Sequence, residues 1–135
     1  MDNCEYMADI VSNLPGNVYW KDKNGVYLGA NIHAAVAAGL SSVEDYIGKT
    51  DHDLFSKKQA DQFRKNDVMV MQTGLEHSLE ETSYLADGTV LIQLSTKRPL
   101  LDKKGEVVGI LGITVDITDR KRAEKLQIEK EAAEK

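Results

Sequence analysis

Chemically reactive side chains are few in this chain of 135 residues and lie far apart. It has three histidines, His33, His52 and His77, and one cysteine, Cys4. The pattern Asp51-His52-Asp53 suggests a metal site, but three consecutive side chains cannot all point at one ion, so we interpret it as a helix cap or a solvated turn. The sequence has no Gly-rich phosphate loop, nucleophilic triad or catalytic carboxylate pair. It therefore predicts a non-enzymatic domain without a metal site.

Asp67 lies on a predicted helix face that is otherwise apolar. The pattern Ser56-Lys57-Lys58-Gln59 predicts a helix that runs to about Gln72. The apolar residues that share the face with Asp67 are Ala60, Phe63, Val70 and Met71. Because a buried carboxylate must be hydrogen-bonded or neutralised, two interpretations stay open. Asp67 either pairs with a backbone amide or a basic side chain from a loop, or it lines a cavity and helps to hold a polar ligand.

Three further side chains are candidates for ligand contact. Trp20 is the only tryptophan, and a large aromatic ring on a strand either packs in the core or stacks on a ligand. Gln93 and Ser95 alternate with apolar residues along one predicted strand and are candidates for polar contacts in a cavity. The alternating apolar residues, which form an equally good buried set, are Val90, Ile92 and Leu94. Which face of this strand points inward therefore stays open.

Turn residues divide the chain into strands and helices. Asn24-Gly25 predicts a hairpin turn within residues 17–30, because these residue types adopt the positive φ angles that a tight turn requires. Turns at residues 86–89 and 102–105 join three later strands, and strands joined by such short connections are antiparallel. Residues 31–74 are predicted to be helical, with helix caps at Asn31 and Ser56 and a helix stop at Gly74. The sequence thus predicts two early strands, a helical segment and three late strands.

Acidic residues on the first of the late strands fit a solvated face. They are Glu76, Glu80 and Glu81. Lys97 on the next strand is a plausible cross-strand partner, but an exposed ion pair of this kind contributes little to stability.

Two helices are predicted to flank the domain. An amphipathic helix over residues 1–14 ends at Pro15-Gly16, and its apolar face includes Ile10, Val11 and Leu14. Residues 119–135 carry charge pairs at helical spacing and a weak seam that includes Leu126. These four apolar residues are our candidates for a dimer interface. Residues 15–118 form the domain between the helices.

Composition narrows the function further. Apolar residues make up 41% of the chain, which is typical of a globular domain, and no stretch approaches the roughly 20 apolar residues that span a bilayer. The formal charge of −5 argues against a nucleic-acid partner, and the fragment shows no feature of membrane contact. A single cysteine fits a reducing compartment, so we expect a cytoplasmic location.

Five segments in order carry a resemblance to a known family. They are residues 14–25, Gly48-Lys49-Thr50-Asp51-His52-Asp53-Leu54-Phe55, residues 97–105, residues 109–113 and residues 116–122. In this order they resemble the PAS family of sensor domains, over about residues 10 to 125. The resemblance implies an α+β fold with a five-stranded antiparallel sheet in the order 2-1-5-4-3. Short helices would cover one face and enclose a small cavity.

The resemblance also implies a function. Such domains belong to histidine kinases, cyclases of cyclic dinucleotides and similar regulators, and they are not themselves catalysts. We therefore expect a sensor and dimerisation module of a multidomain signalling protein of the histidine kinase type. A small molecule would bind in the cavity, and the C-terminal helix would pass the signal to a downstream output domain. The alternative is an interaction module without a ligand. The absence of a histidine on the long helix disfavours haem, and the absence of an Asn-Cys-Arg-Phe-type motif disfavours a photoreactive flavin, so a cofactor stays unknown.

The segment Asp116-Ile117-Thr118 is the expected junction between the domain and its output. The Thr118 hydroxyl is predicted to cap the outgoing helix. Asp116 is predicted to pair with Arg120 or Arg122. The junction is then either a structural cap alone or also the place where distortion of the sheet reaches the helix.

Overall fold

The computed structural model describes residues 9–11, 13–84 and 87–134. Its strands are β1 (Asn17–Asp22), β2 (Tyr27–Ala30), β3 (His77–Tyr84), β4 (Val90–Leu101) and β5 (Val107–Asp116). Its helices are α1 (Ile32–Ala37), α2 (Asp51–Leu54), α3 (Lys57–Thr73) and α4 (Thr118–Ala133). Residues 9–11 and 13 are also helical, whereas residues 1–8 of the expected N-terminal helix lie outside the described residues.

The strands form one antiparallel sheet in the order β2-β1-β5-β4-β3. This order confirms the expected topology. β1 and β5 lie side by side in the middle of the sheet although they are far apart in sequence, and β3 and β2 are its edges. None of the described helices is long and apolar enough to cross a membrane.

Local signals explain where the helices begin and end. Asn31 caps α1, since its side chain accepts a hydrogen bond from the Ala34 amide at 2.9 Å. Ser56 caps α3 by accepting from the Gln59 amide at 3.3 Å. Gly74 ends α3 with a φ of +68°, a left-handed backbone conformation that residues other than glycine rarely adopt. The caps at Asn31 and Ser56 agree with the sequence prediction.

The inner face of the sheet carries the odd-numbered residues of β4. Ser95 pairs with Thr114 across β4 and β5, and both side chains are buried. The odd-numbered residues of β4, which include Gln93 and Ser95, therefore face the helices. The even-numbered residues of the same strand face outward, and Val90 is 42% exposed. The choice between the two faces, which the sequence leaves open, is thus settled in favour of the polar set.

The apolar core lies between the β1–β2 hairpin, α1 and the following loop. Its buried members are Tyr19, Tyr27, Ala30, Ala34, Ala35 and Tyr46. Gly112 of β5 makes room for the ring of Tyr19, because a Cβ atom at this position would lie only 2.3 Å from Cζ of that ring. The core is therefore small and rich in tyrosine, and it occupies one side of the inner face.

Candidate functional site

A cavity of about 770 Å³ lies between the inner face of the sheet and the helices. Aromatic rings form much of its wall; they belong to Tyr19, Tyr27, Tyr46, Phe55 and Phe63. Polar side chains also reach it, namely those of Asn17, Lys21, Ser56, Gln59, Glu81, Gln93 and Thr114. A mainly apolar enclosure with a few convergent polar groups is the usual form of a small-molecule site.

Lys21 of β1 is the centre of a buried ionic cluster beside the cavity. Its Nζ atom lies 2.7 Å from Oδ2 of Asp51 and 2.7 Å from Oδ2 of Asp67. Only 2% of Lys21, 5% of Asp51 and 1% of Asp67 is exposed. β1, α2 and α3 are thereby joined through one ammonium group.

Lys97 of β4 extends the cluster. Its Nζ atom lies 3.1 Å from Oδ1 of Asp67 and 3.3 Å from Oε2 of Glu81. The contact with Asp67 Oδ1 is an ion pair whose angle falls outside hydrogen-bond geometry. Asp67 is therefore shared by two ammonium groups, one from β1 and one from β4.

Uncharged neighbours complete the cluster. The hydroxyl of Tyr27 donates to Oδ1 of Asp51, and the side-chain amide of Asn66 donates to Oε2 of Glu81 at 2.8 Å. Aromatic rings add to the environment of the ammonium groups, with Lys21 Nζ at 4.9 Å from the ring centroid of Tyr27 and Lys97 Nζ at 5.6 Å from that of Phe63. Ammonium groups are attracted to aromatic ring faces at such distances.

The cluster changes the protonation of its members. Burial acts to lower the pKa of Lys21, but the carboxylates of Asp67 and Asp51 outweigh burial and raise it above its ordinary value. Burial also acts to lower the pKa of Lys97. The charge interactions with Tyr19, Asp67 and Glu81 outweigh burial and raise this pKa above its ordinary value. Burial raises the pKa of the Tyr27 hydroxyl well above its ordinary value, and Tyr46 and Asp51 add to this effect. Both lysines and Tyr27 therefore hold their protons more firmly than in the unfolded chain.

The structure brings some of the predicted cavity residues together. Gln93 lines the cavity. Asp67 is buried on α3 and, as the first interpretation holds, pairs with basic side chains, but these come from strands and not from a loop. Ser95 is fully buried, and its hydroxyl lies 3.4 Å from that of Thr114, which lines the cavity. Asp67 and Ser95 thus lie behind the cavity wall and position side chains that reach the cavity.

Trp20 does not lie at the cavity, and its prediction as a ligand contact is wrong. Its neighbours Tyr19 and Lys21 line the cavity, so alternation along β1 points Trp20 to the opposite face of the sheet. There it covers Gly29 of β2, where a Cβ atom would lie 2.1 Å from the indole ring. Trp20 is a packing residue of the outer face.

For four charged residues of the cluster, the sequence did not predict a role in the site. Glu81 was interpreted as solvated and Lys97 as its weak, exposed partner, yet 8% of Glu81 and 1% of Lys97 is exposed. Asp51 was interpreted as part of a cap or a solvated turn, and Lys21 was only one letter of a family motif. Asp53, two residues after Asp51, does cap α2, since its carboxylate accepts from the Thr50 amide at 2.9 Å.

The junction with α4 differs from the prediction. Ile117 is the N-cap and Thr118 is the first helical residue. The Thr118 hydroxyl accepts from the Ile92 amide of β4 at 2.9 Å and donates to Oδ1 of Asp116 at 2.6 Å. The Ile117 amide donates to the Ile92 carbonyl at 2.9 Å. Thr118 therefore ties the helix to β4 and does not cap it, because its hydroxyl is engaged by the strand.

Asp116 accepts hydrogen bonds from Thr118, which lower the pKa of its carboxyl group. Its predicted pairing with Arg120 or Arg122 is not formed in the described residues. Arg120 lies instead 3.7 Å from Glu124, and Arg122 lies 4.0 Å from Asp119. The arginines are thus directed along α4 and away from the sheet.

Lys121 provides an unpredicted tie between α4 and the sheet. Its Nζ atom lies 2.7 Å from Oε1 of Glu80 on β3. Glu80 and its neighbour Glu81 therefore point to opposite faces, one to α4 and one to the ionic cluster.

The dimer candidates are accessible to different extents. Ile10 is 54% exposed and Leu126 is 65% exposed, whereas Val11 and Leu14 are half-buried.

Removing the carboxylate of Asp67 should destabilise the fold strongly. Asp67→Ala leaves two buried ammonium groups without a shared counter-ion, and we expect a loss of about 3–5 kcal/mol in the free energy of unfolding. Asp61→Ala is the matched control, because Asp61 lies on the same helix and pairs with Lys57 and His52 in solvent. Its effect should be a small fraction of that of Asp67→Ala. Urea denaturation of both variants measures the difference, and equal losses would contradict the structural role of the cluster.

Stability should fall in alkaline solution. Above about pH 10 the unfolded chain releases protons from lysine and tyrosine, while folded Lys21, Lys97 and Tyr27 retain theirs. The folded state then binds more protons, so the free energy of unfolding decreases as pH rises, by up to about 1.4 kcal/mol per pH unit for each group. Tyr27→Phe removes one of these groups and should make the decrease shallower. Urea denaturation between about pH 8 and 11 provides the comparison, and parallel curves for the two proteins would refute the explanation.

Comparison with known proteins identifies similar domains. The model of the family described as PAS fold matches residues 11–122. A diguanylate cyclase of Vibrio cholerae is 33% identical over 112 residues, which are 82% of this chain and 35% of the cyclase. The crystal structure of the Vibrio cholerae VqmA–ligand–DNA complex has a TM-score of 0.79 and 29% identity, over 88% of this chain and 53% of that chain.

A third similarity concerns the fold alone. The PAS domain of Bordetella pertussis BvgS has a TM-score of 0.74 and 24% identity, over 98% of this chain and 99% of that domain. The chain thus spans about a third of the cyclase and about half of VqmA, but the whole of an isolated PAS domain. With the family model covering residues 11–122 and the five-stranded sheet in the expected order, the chain belongs to the PAS family of sensory domains.

Proposed function

We propose that this PAS domain is the sensory and dimerisation module of a cytoplasmic, multidomain signalling protein. A small molecule binds in the cavity, and the change is passed through α4 to an output domain. The domain itself is not catalytic, and haem and a photoreactive flavin are disfavoured as its cofactor. The observation that carries this proposal is the cavity of about 770 Å³, into which polar side chains converge from four strands, β1, β3, β4 and β5.

The similar proteins support the sensory part of the proposal. VqmA has been solved with a ligand and DNA, so a related fold is found in a ligand-bound protein. A diguanylate cyclase and a histidine kinase of Methanothrix harundinacea contain similar segments, so an output of one of these two kinds is expected. The binding of DNA is a property of the longer VqmA chain, and we expect no nucleic acid to bind this acidic domain.

A short path joins the cavity to the output helix. Leu91 and Gln93 line the cavity, and Ile92 lies between them on β4. The amide and the carbonyl of Ile92 are the two groups bonded to Thr118 and Ile117. A ligand that shifts Leu91 or Gln93 would therefore move the backbone to which α4 is attached, and the start of α4 would follow.

The alternative is a ligand-free interaction module. In that case the cavity would close on its own side chains in solution, and dimerisation would be the main function. Ligand binding distinguishes the two.

Addition of cavity ligands should stabilise the protein. In a thermal-shift screen against a panel of metabolites, at least one compound should raise Tm, since a ligand at about 100 times its Kd adds about 2.7 kcal/mol to stability. Ala38→Phe, which places a ring in the cavity wall, should abolish the shift. The control Ala123→Phe on the exposed surface of α4 should retain it. A panel without effect, together with native mass spectra that show no bound molecule, would favour the ligand-free module.

The isolated domain should be a dimer that depends on the N-terminal segment. Deletion of residues 1–14 should weaken the dimer, and so should Ile10→Asp, because a charge on an exposed apolar residue disfavours its burial in an interface. Leu101→Asp is the control, since Leu101 is equally exposed (57%) but lies near the β4–β5 turn. Light scattering measures the oligomeric state. An unchanged oligomer after the deletion would exclude this interface.

A further inference from the structure

The ionic cluster beside the cavity does not balance its own charge. It contains three carboxylates (Asp51, Asp67 and Glu81) and two ammonium groups (Lys21 and Lys97), so its formal charge is 2 − 3 = −1. Within the described residues, every ion pair of these five groups is made inside the cluster. A buried charge without a counter-ion is costly, and a positive group brought to it lowers that cost.

Two members of the cluster line the cavity, Lys21 and Glu81, and the acidic one is Glu81. It lines the cavity although only 8% of it is exposed. Its Oε2 atom accepts from Asn66 and pairs with Lys97 at 3.3 Å, the longest ion pair of the cluster. The hydrogen bonds and the ion pair of Glu81 with Asn66 and Lys97 engage Oε2. We therefore take Oε1 as the oxygen through which this carboxylate would meet a ligand in the cavity.

The walls of the cavity suit the same kind of ligand. Five aromatic rings line it, and such rings attract positive groups through their faces. The ammonium group of Lys21 already lies 5.2 Å from the ring centroid of Tyr19 and 4.9 Å from that of Tyr27. A ligand cation would therefore meet a carboxylate oxygen and aromatic surface in one enclosure.

For an anionic ligand, the cluster offers no ammonium group that is not already paired with carboxylates. Both buried ammonium groups are already engaged, each with two carboxylates within 3.3 Å. A ligand carboxylate or phosphate would have to displace one of these and would add to the net negative charge. Electrostatics therefore disfavours an anion in this cavity.

We infer that the ligand of this PAS domain is a small organic monocation, such as an amine with an apolar or aromatic body, whose charged group binds Oε1 of Glu81. This inference rests on the proposed sensory function and names the chemical class of its ligand.

Three probes of similar size and different charge test the inference. They are phenethylammonium, the neutral 2-phenylethanol and the anionic phenylacetate, and isothermal titration calorimetry on the unsubstituted protein measures their affinities. Phenethylammonium should bind at least about tenfold more tightly than the other two. Because this comparison uses the unsubstituted protein, it does not depend on whether a variant folds.

Glu81→Gln should remove the preference while leaving the carbonyl acceptor for Asn66. Glu80→Gln is the matched control, because Glu80 is adjacent on β3 but pairs with Lys121 on the other face. It should keep the preference for the cation.

Two kinds of result would overturn the inference. The first is a wrong charge dependence. It would be seen as tighter binding of 2-phenylethanol or phenylacetate than of phenethylammonium, or as a preference for the cation that survives Glu81→Gln. If such binding is lost in Ala38→Phe, the cavity is a ligand site and only the charge class is wrong. The other is the absence of phenethylammonium binding at about 10 mM. The proposed function itself fails only if the metabolite panel is also without effect.

Discussion

The placement of Asp67 between two buried ammonium groups is the interaction on which the rest of the site depends. Lys21 comes from β1 and Lys97 from β4, and these strands lie on opposite sides of β5. A buried ion network adds little net stability compared with apolar packing, but its partners must meet at defined distances and directions. Asp67 therefore fixes the position of α3 over the sheet. The cavity exists in the remaining space, with the tyrosine-rich core on one side and the cluster on the other.

Much of the fold could be predicted because its signals are local. Hairpin turns, the caps at Asn31 and Ser56 and the stop at Gly74 each depend on a few neighbouring residues, and together they define the strands and the long helix. The sheet order needed more than this, since β1 and β5 pair over a large sequence separation. It followed from the family resemblance. The inward face of β4 could not be predicted because Gln93 and Ser95 compete with an equally regular apolar set, and burial of the polar set depends on partners elsewhere in the chain.

The candidate site was predicted only in part for the same reason. Asp67 stood out because a carboxylate interrupts an apolar helix face. Lys21 and Asp51 gave no such signal: they are 30 residues apart, and each is buried only because the other, or Asp67, neutralises it. Glu81 gave no signal of burial, since a strand with three glutamates is usually solvated, and its contact with Lys97 depends on the pairing of β3 with β4.

The attachment of α4 to Ile92 has a mechanical consequence. Residues 117 and 118 bond to the same residue of β4, immediately beyond the last pair of β4 with β5, so the first residues of the helix continue the ladder of the sheet. A helix of 16 residues is about 24 Å long. A rotation of about 5° at its base would therefore displace its far end by about 2 Å. A small rotation at the junction is thus amplified along α4 into a displacement of ångström size at its far end.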